Sequence, residues 1–181
     1  MTRSQEILQK QRKRNRRRNN FKCALVLAAG LAIGIAGFAG GIEHTMAEGD
    51  TYIDPTYIRY CREIGEEHHI APELLEALIE TESSGRADVV SVTGDVGLCQ
   101  INPRWSRYTE AELKDPYTNI EEAATILEDL FEKYDLEGLM AYNYGEYSKA
   151  FREHMKNGTM SEYAKKIIKR SDYLQELHGR E

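Results

Sequence analysis

A chain of 181 residues is long enough to bury one core of ordinary size with a tail beside it, and it shows no internal repeat, low-complexity linker or second domain. Its net charge of −6 hides a segregation, because residues 1–22 hold nine Lys or Arg against Glu6 alone, leaving the rest of the chain acidic. The basic block is a candidate arm for nucleic acid, but its neighbour explains it better, and no nucleic-acid partner is expected. Residues 23–42 are apolar and free of charge, about the ~20 residues needed to cross a bilayer. Gly30, Gly34, Gly37, Gly40 and Gly41 lower helix propensity in water but are common in membrane helices. A basic stretch before an apolar one orients the segment with its positive side inside, so residues 1–22 read as a cytoplasmic tail and residues 23–42 as a transmembrane helix or the core of a signal peptide. The length of the apolar run favours a retained anchor, giving a single-pass membrane protein with its working part outside; Ala39-Gly40-Gly41 and Thr45-Met46-Ala47 offer small residues for a peptidase, and cleavage there would give a secreted one.

Residues 43–54 form a short polar linker, and the domain is placed at residues 55–181. The spacing of Ile58, Cys61 and Ile64 predicts a helix over residues 56–67. His68-His69 falls at the joint before the next helix and reads as a polar connection, since no further ligand stands at metal-binding spacing. No metal or cofactor is expected.

Residues 71–103 organise the rest. Pro72 suits the first position of a helix, where a missing N–H costs nothing. Ala71, Leu75, Leu78 and Ile79 recur on one apolar face, with Glu73, Glu76 and Glu80 on the opposite, solvent-facing side. Glu82 breaks that division, lying four residues after Leu78 and three after Ile79, in line with the apolar stripe at the helix's C-terminal end. Desolvation raises a carboxyl pKa, and the negative end of the helix dipole raises it further. A carboxylic acid that keeps its proton near neutral pH is what general acid catalysis requires, so Glu82 is the candidate catalytic residue. Ser83, Ser84, Gly85, Gly94 and Gly97 then stop the helix and build a glycine-punctuated loop.

Beyond it, Thr109 and Glu112 are spaced as a capping box for a short helix, and Thr118 and Glu121 as a second. Trp105, the only Trp, reads either as a sugar-stacking platform or as a core residue. Ile120, Ala123, Ala124, Leu127, Leu130, Phe131 and Tyr134 mark a long core-facing helix. Residues 136–144 are apolar and predict a short central helix, in which Tyr142 is either core or a wall of the site. Asn143 and Gly145 turn the chain into a helix carrying Tyr147, Ala150, Phe151 and His154, closed by Asn157-Gly158. Ser161 starts the last helix, with Tyr163, Ile167, Ile168 and Leu174 on its packed side. Cys61 and Cys99 read as small buried hydrophobes; pairing between them stays open, and no Cys-His constellation suggests a nucleophile.

Two ordered blocks give the chain a family likeness. Glu82-Ser83, Ser91, Gly94, Gly97-Leu98, Gln100-Ile101 and Pro103 form the first; Asp115-Pro116, Asn119-Ile120 and Ala141-Tyr142-Asn143-Tyr144-Gly145 form the second. Together they resemble the soluble-lytic-transglycosylase (SLT) domain family, related to goose-type lysozyme, over roughly residues 56–151. The resemblance implies a mostly α, lysozyme-like helical domain with a catalytic groove, here preceded by one N-terminal transmembrane helix. It implies a peptidoglycan lytic transglycosylase, which cuts the β-1,4 bond between N-acetylmuramic acid and N-acetylglucosamine and leaves 1,6-anhydro ends. A hydrolytic muramidase and a non-catalytic wall-binding scaffold are the alternatives. Carried over by position, Glu82 is the acid and Ser83 lies near the acid or the substrate; Ser91, Gly97, Gln100 and Ile101 line the sugar groove; Tyr142 positions Glu82 and Asn143 binds the saccharide. Implied partners are peptidoglycan strands, the membrane through the N-terminal helix, and a secretion or conjugation machine. Asp95, Cys99 and Tyr144 depart from the family pattern, which usually has Ala, Met and a small residue there.

Overall fold

The computed structural model describes residues 53–179, so the expected basic tail, membrane segment and most of the linker lie outside the described residues. Within them the chain is mostly α, with seven α-helices, one 3₁₀ turn and two isolated antiparallel bridges. No helix among the described residues is long and apolar enough to cross a membrane.

Helix α1 (Pro55–His68) starts where the Asp54 carboxylate accepts the N–H of Thr56 at 2.7 Å, with Pro55 at its first position. It ends at His69, whose left-handed φ of 58° turns the chain toward the next helix. The crossing is close: a Cβ on Gly65 would lie 2.7 Å from the carbonyl oxygen of Ile70, so a larger residue there would force the two helices apart. His68 is no mere polar connection. Its Nδ1 lies 2.9 Å from Glu128 and its Nε2 3.2 Å from Glu121, so the half-buried ring clamps α1 to a later helix, α4 (Pro116–Tyr134). The bond to Glu128, against the opposing effect of burial, holds the imidazole's pKa above its ordinary value.

Helix α2 (Pro72–Glu82) is the centre of the fold, packed between α1 and the last helix, α7 (Glu162–His178). Leu75, Leu78 and Ile79 are fully buried, each contributing about 1.5–3 kcal/mol by leaving water. The acidic side of α2 does not face solvent as its spacing suggests, while Ala71, just before the helix, is exposed. Helix α7 covers the acidic side: His178 meets Glu73 at 3.1 Å, and Arg170 grips Glu80 with two bonds of 2.6 and 3.0 Å. Glu76 is wholly buried between them. A helix with neighbours on two sides has two buried faces, and an amphipathic pattern marks only the apolar one.

After the loop that follows α2, Thr109 and Glu112 form the expected capping box of α3 (Glu110–Leu113). Helix α4 begins three residues earlier than its spacing suggests, because Asp115 rather than Thr118 caps it and Glu121 is engaged by His68. A 3₁₀ turn (Asp135–Glu137) leaves Leu136 exposed before α5 (Gly138–Tyr144), so the central apolar helix is shorter than expected. Helix α6 (Lys149–Asn157) is capped by Ser148 and closed by Gly158, leaving Tyr147 exposed ahead of it; Ser161 caps α7.

Glu76 generates a stability prediction. Neither of its carboxyl oxygens has a hydrogen-bond partner among the described residues, and His178 Nε2 stands 3.9 Å away. Burial pushes its pKa up to about 7, with His178 opposing. The folded state therefore holds this proton more tightly than the unfolded chain does. Its stabilising effect is complete below the unfolded value of 4.5 and is lost as pH rises through about 7. Glu76→Leu should raise stability at pH 8 by about 2 kcal/mol and flatten the decline above pH 5, measured by urea unfolding at several pH values. A variant less stable than the parent at pH 8 would show that the buried charge is accommodated.

Candidate active site

The last residue of α2 is Glu82. Its register with Leu78 and Ile79 carries the carboxyl inward, although the residue keeps part of its surface open. The phenol of Tyr163, from the first turn of α7, donates to Glu82 Oε1. Desolvation is the largest influence on this carboxyl and pushes its pKa up to about 7. The bond from Tyr163 acts the other way, the charge of Asp95 adds to the rise, and Lys166 opposes it. At neutral pH the group thus stands at the balance between proton donor and proton acceptor.

The chain leaves α2 through Ser83, whose buried hydroxyl donates to the carbonyl of Ile79 at 3.2 Å, and then turns at Ser84 and Gly85. Farther on, Val96 and Ile101 exchange both backbone bonds at 2.9 and 3.0 Å, closing a tight reversal around Gly97, Leu98, Cys99 and Gln100. Gly97 and Gln100 both adopt positive φ there. The amide of Gln100 donates back to the carbonyl of Gly97 at 2.9 Å.

Asn119, fully buried in the first turn of α4, holds that reversal in place. Its Oδ1 accepts the N–H of Cys99 at 2.7 Å, and its Nδ2 donates to the carbonyls of Val96 at 2.9 Å and Leu113 at 2.8 Å. Gly97 is required by this approach, since a Cβ would lie 2.5 Å from Asn119 Nδ2 and 2.6 Å from the Leu113 oxygen, at a φ of 78°. From α5, the Tyr142 hydroxyl donates to the Cys99 carbonyl at 2.8 Å. The two peptides that flank the Cys99 Cα are thus both fixed, the N–H of one by Asn119 and the carbonyl of the other by Tyr142.

The structure accordingly redistributes two roles expected of tyrosines. The hydroxyl on the acid belongs to Tyr163, while that of Tyr142 serves the loop. Tyr163 was assigned only to the packed side of the last helix; the signal that marked it is that a tyrosine on a buried face needs a partner for its hydroxyl. Glu82, Tyr142, Tyr163, Cys99 and Asp95 are close enough to influence one another electrostatically. The Ser91 hydroxyl lies within hydrogen-bond distance of both Thr93 and Asp95, Ile101 is buried, and Asn143 at the end of α5 is exposed. Trp105 is not a core residue: its ring is about two-fifths exposed (41%), with the Arg104 guanidinium 5.0 Å from the ring centroid. Cys61 and Cys99 are free and buried, and burial pushes both thiols well above their ordinary range, away from nucleophilic chemistry. Among the described residues no group of three or more His, Cys, Asp or Glu side chains is placed to hold a metal ion.

The family model described as the transglycosylase SLT domain matches residues 59–167, a span that contains Glu82, the loop, Asn119, Tyr142 and Tyr163. No curated protein matches the chain.

Two measurements follow from this geometry. Tyr163→Phe deletes a bond that favours the ionised acid, so the Glu82 carboxyl, followed by ¹³C NMR, should titrate above its starting value of about 7. A downward or absent movement would remove Tyr163 from its place on the acid. Asn119→Ala strands the Cys99 N–H and the Leu113 carbonyl in the interior, while the Val96 carbonyl keeps the N–H of Ile101, and should cost about 3 kcal/mol of unfolding free energy. A loss below about 1 kcal/mol would mean that the loop holds itself.

Proposed function

Since the chain belongs to the transglycosylase SLT domain family, whose activity is the cleavage of peptidoglycan, we propose that it is a lytic transglycosylase acting on the β-1,4 bond between N-acetylmuramic acid and N-acetylglucosamine. The observation that carries this reading is Glu82, a carboxyl drawn into the protein at the end of α2, with its pKa pushed up to about 7 and a phenol to orient it.

Glu82 in its protonated form donates to the glycosidic oxygen as the bond from C1 breaks, and the leaving sugar departs with that proton. The oxygen of the muramyl 2-acetamido group stabilises the cationic C1. The Glu82 carboxylate then takes the proton from the muramyl 6-hydroxyl, whose oxygen closes onto C1. Glu82 is left protonated, and the product carries a 1,6-anhydro ring with no water consumed. A group near pKa 7 suits both halves, since it gives up its proton readily and takes one back. Tyr163 aims the carboxyl, and Tyr142 holds the loop through the Cys99 carbonyl. Asn143 binds the saccharide, while Ser83, Ser91, Gly97, Gln100 and Ile101 shape the groove. The basic 1–22 and apolar 23–42 segments support a membrane tether with this domain on the outer side, where wall opening would serve a secretion or conjugation machine.

Digestion of purified cell wall by the full chain, followed by mass spectrometry, tests the reaction: anhydro-muramyl ends, one water lighter than reducing ends, are expected. Glu82→Gln should lower turnover on the order of 10³-fold. In the parent, kcat/KM should fall as pH rises through about 7, where the free enzyme loses its acid. Reducing ends alone would replace transglycosylation by hydrolysis, and unimpaired wall clearing by Glu82→Gln would remove the acid role.

A further inference from the structure

Trp105 has no part in the scheme above, yet its position is fastened on two sides. Residues Asn102 to Trp105 form a β-turn closed by the Trp105 N–H, which donates to the Asn102 carbonyl at 3.0 Å, with Pro103 presetting its second position. The Asn102 side chain ties that turn to the loop before it. Its Oδ1 accepts the N–H of Arg104 at 3.1 Å, and its Nδ2 donates to Asp95 Oδ1 at 2.8 Å and to the Thr93 carbonyl at 3.2 Å. On the other side, Ser106 and Arg107 both donate to the buried carboxylate of Glu122 on α4, at 2.9 and 3.0 Å. A β-turn keeps its end Cα atoms within about 7 Å, so the Trp105 Cα lies within roughly 11 Å of that of Ile101, where the reversal ends.

The groups carried on this turn are unspent. Trp105 is 41% exposed, and its indole N–H has no acceptor among the described residues. The Arg104 guanidinium stands 5.0 Å from the ring centroid and, among the described residues, makes no hydrogen bond or ion pair. A single exposed apolar side chain needs no explanation, but an apolar ring, a donor and a cation fixed together form a recognition surface. A ligand that satisfies all three offers a C–H face, an acceptor oxygen and a carboxylate. A muramyl unit offers each, in its pyranose face, its acetamido oxygen, and the carboxylate of its lactyl arm or attached peptide. A single-stranded nucleic acid offers a base and a phosphate, but outside residues 1–22 the chain is acidic and repels a polyanion.

We propose, resting on the peptidoglycan cleavage inferred above, that Trp105 and Arg104 form a second saccharide-binding site beside the groove, which takes a muramyl unit away from the bond being cut. The indole stacks on the sugar's C–H face, and Arg104 pairs with its carboxylate. The turn is set before substrate arrives, so binding has little chain to order. Contact with a part of the strand that does not react holds substrate and transition state alike, which lowers KM and leaves kcat as it is.

Trp105 is the only tryptophan, so the emission of the full chain reports this site directly. Two soluble probes are titrated into the full chain carrying Glu82→Gln, so that the sugars stay intact. One is a neutral chitin tetrasaccharide; the other alternates N-acetylglucosamine with N-acetylmuramic acid and carries lactyl carboxylates. Both should shift the emission saturably, the muramyl-containing one at lower concentration, and Arg104→Gln should erase that difference. On soluble, uncross-linked glycan strands, Trp105→Ala should raise KM about tenfold with kcat within about twofold, and Trp105→Phe should recover most of the loss. Emission unmoved by either sugar, in a protein whose parent still cuts cell wall, would overturn this site and leave the cleavage reading standing. Emission that shifts in a protein whose parent leaves cell wall intact would uphold the saccharide site and remove the cleavage reading. A Trp105→Ala variant with a lower melting temperature and an unchanged KM, or emission that answers only to a single-stranded oligodeoxynucleotide, would also overturn the site.

Discussion

A single buried amide, Asn119, joins the reversal between Val96 and Ile101 to the end of α3. It satisfies the N–H of Cys99 and the carbonyls of Val96 and Leu113, and it leaves room only for a glycine at position 97. A loop of this kind carries polar groups that a helix or sheet would pair internally, and burying them unpaired would cost roughly 1–3 kcal/mol each. Asn119 removes that cost and fixes an irregular segment to which α5 is tied through Tyr142. Tyr142 completes the arrangement by donating to the Cys99 carbonyl, so the backbone on both sides of one residue is located by helices that are distant from it in sequence.

The pairing of α2 with α7 is the second constraint. Glu82 meets Tyr163, Glu80 meets Arg170, and Glu73 meets His178, a descending order on one helix against an ascending order on the other, so the two run antiparallel. The polar side of α2 is therefore not a solvated face but a seam, closed by a guanidinium and an imidazole, with the phenol of Tyr163 meeting the acid at the helix's end. The seam fixes the height of Tyr163 over the acid. A slip of α7 by one turn, about 5.4 Å, would break all three contacts together.

Much of this was readable from residue types and spacing. The helix-stopping glycine at 158, the capping box at Thr109 and the serine cap at 161 behave locally, and local chemistry is what a sequence states directly. The inward register of Glu82 was equally legible, because helical spacing fixes which side chains share a stripe. The burial of Glu76 and the clamp at His68 were not, since both depend on which helix lands where, and periodicity in α1 or α2 carries no information about α4 or α7. The spacing of Tyr163 predicts its packed face correctly, but only the partner across the seam reveals why it is tyrosine.

Helix α2 carries two carboxyls with the same elevated pKa of about 7, Glu76 and Glu82, so elevation by itself does not single out an acid. In each, burial is the leading cause, and the shift corresponds to a cost on the order of 3 kcal/mol for carrying the charge. What separates them is access and company. Glu76 has no exposed surface and, among the described residues, no hydrogen bond, with Nε2 of His178, on α7, standing 3.9 Å away. Glu82 keeps part of its surface open and is aimed by a phenol, with Asp95 favouring the proton and Tyr163 and Lys166 favouring its release. Glu76, its neighbour on the same helix, also feels charges of both signs, His178 and Arg62 against Glu73 and Glu80, so opposition alone does not mark an acid either. A proton donor to substrate needs orientation and a way to the surface, and among the described residues Glu76 has neither.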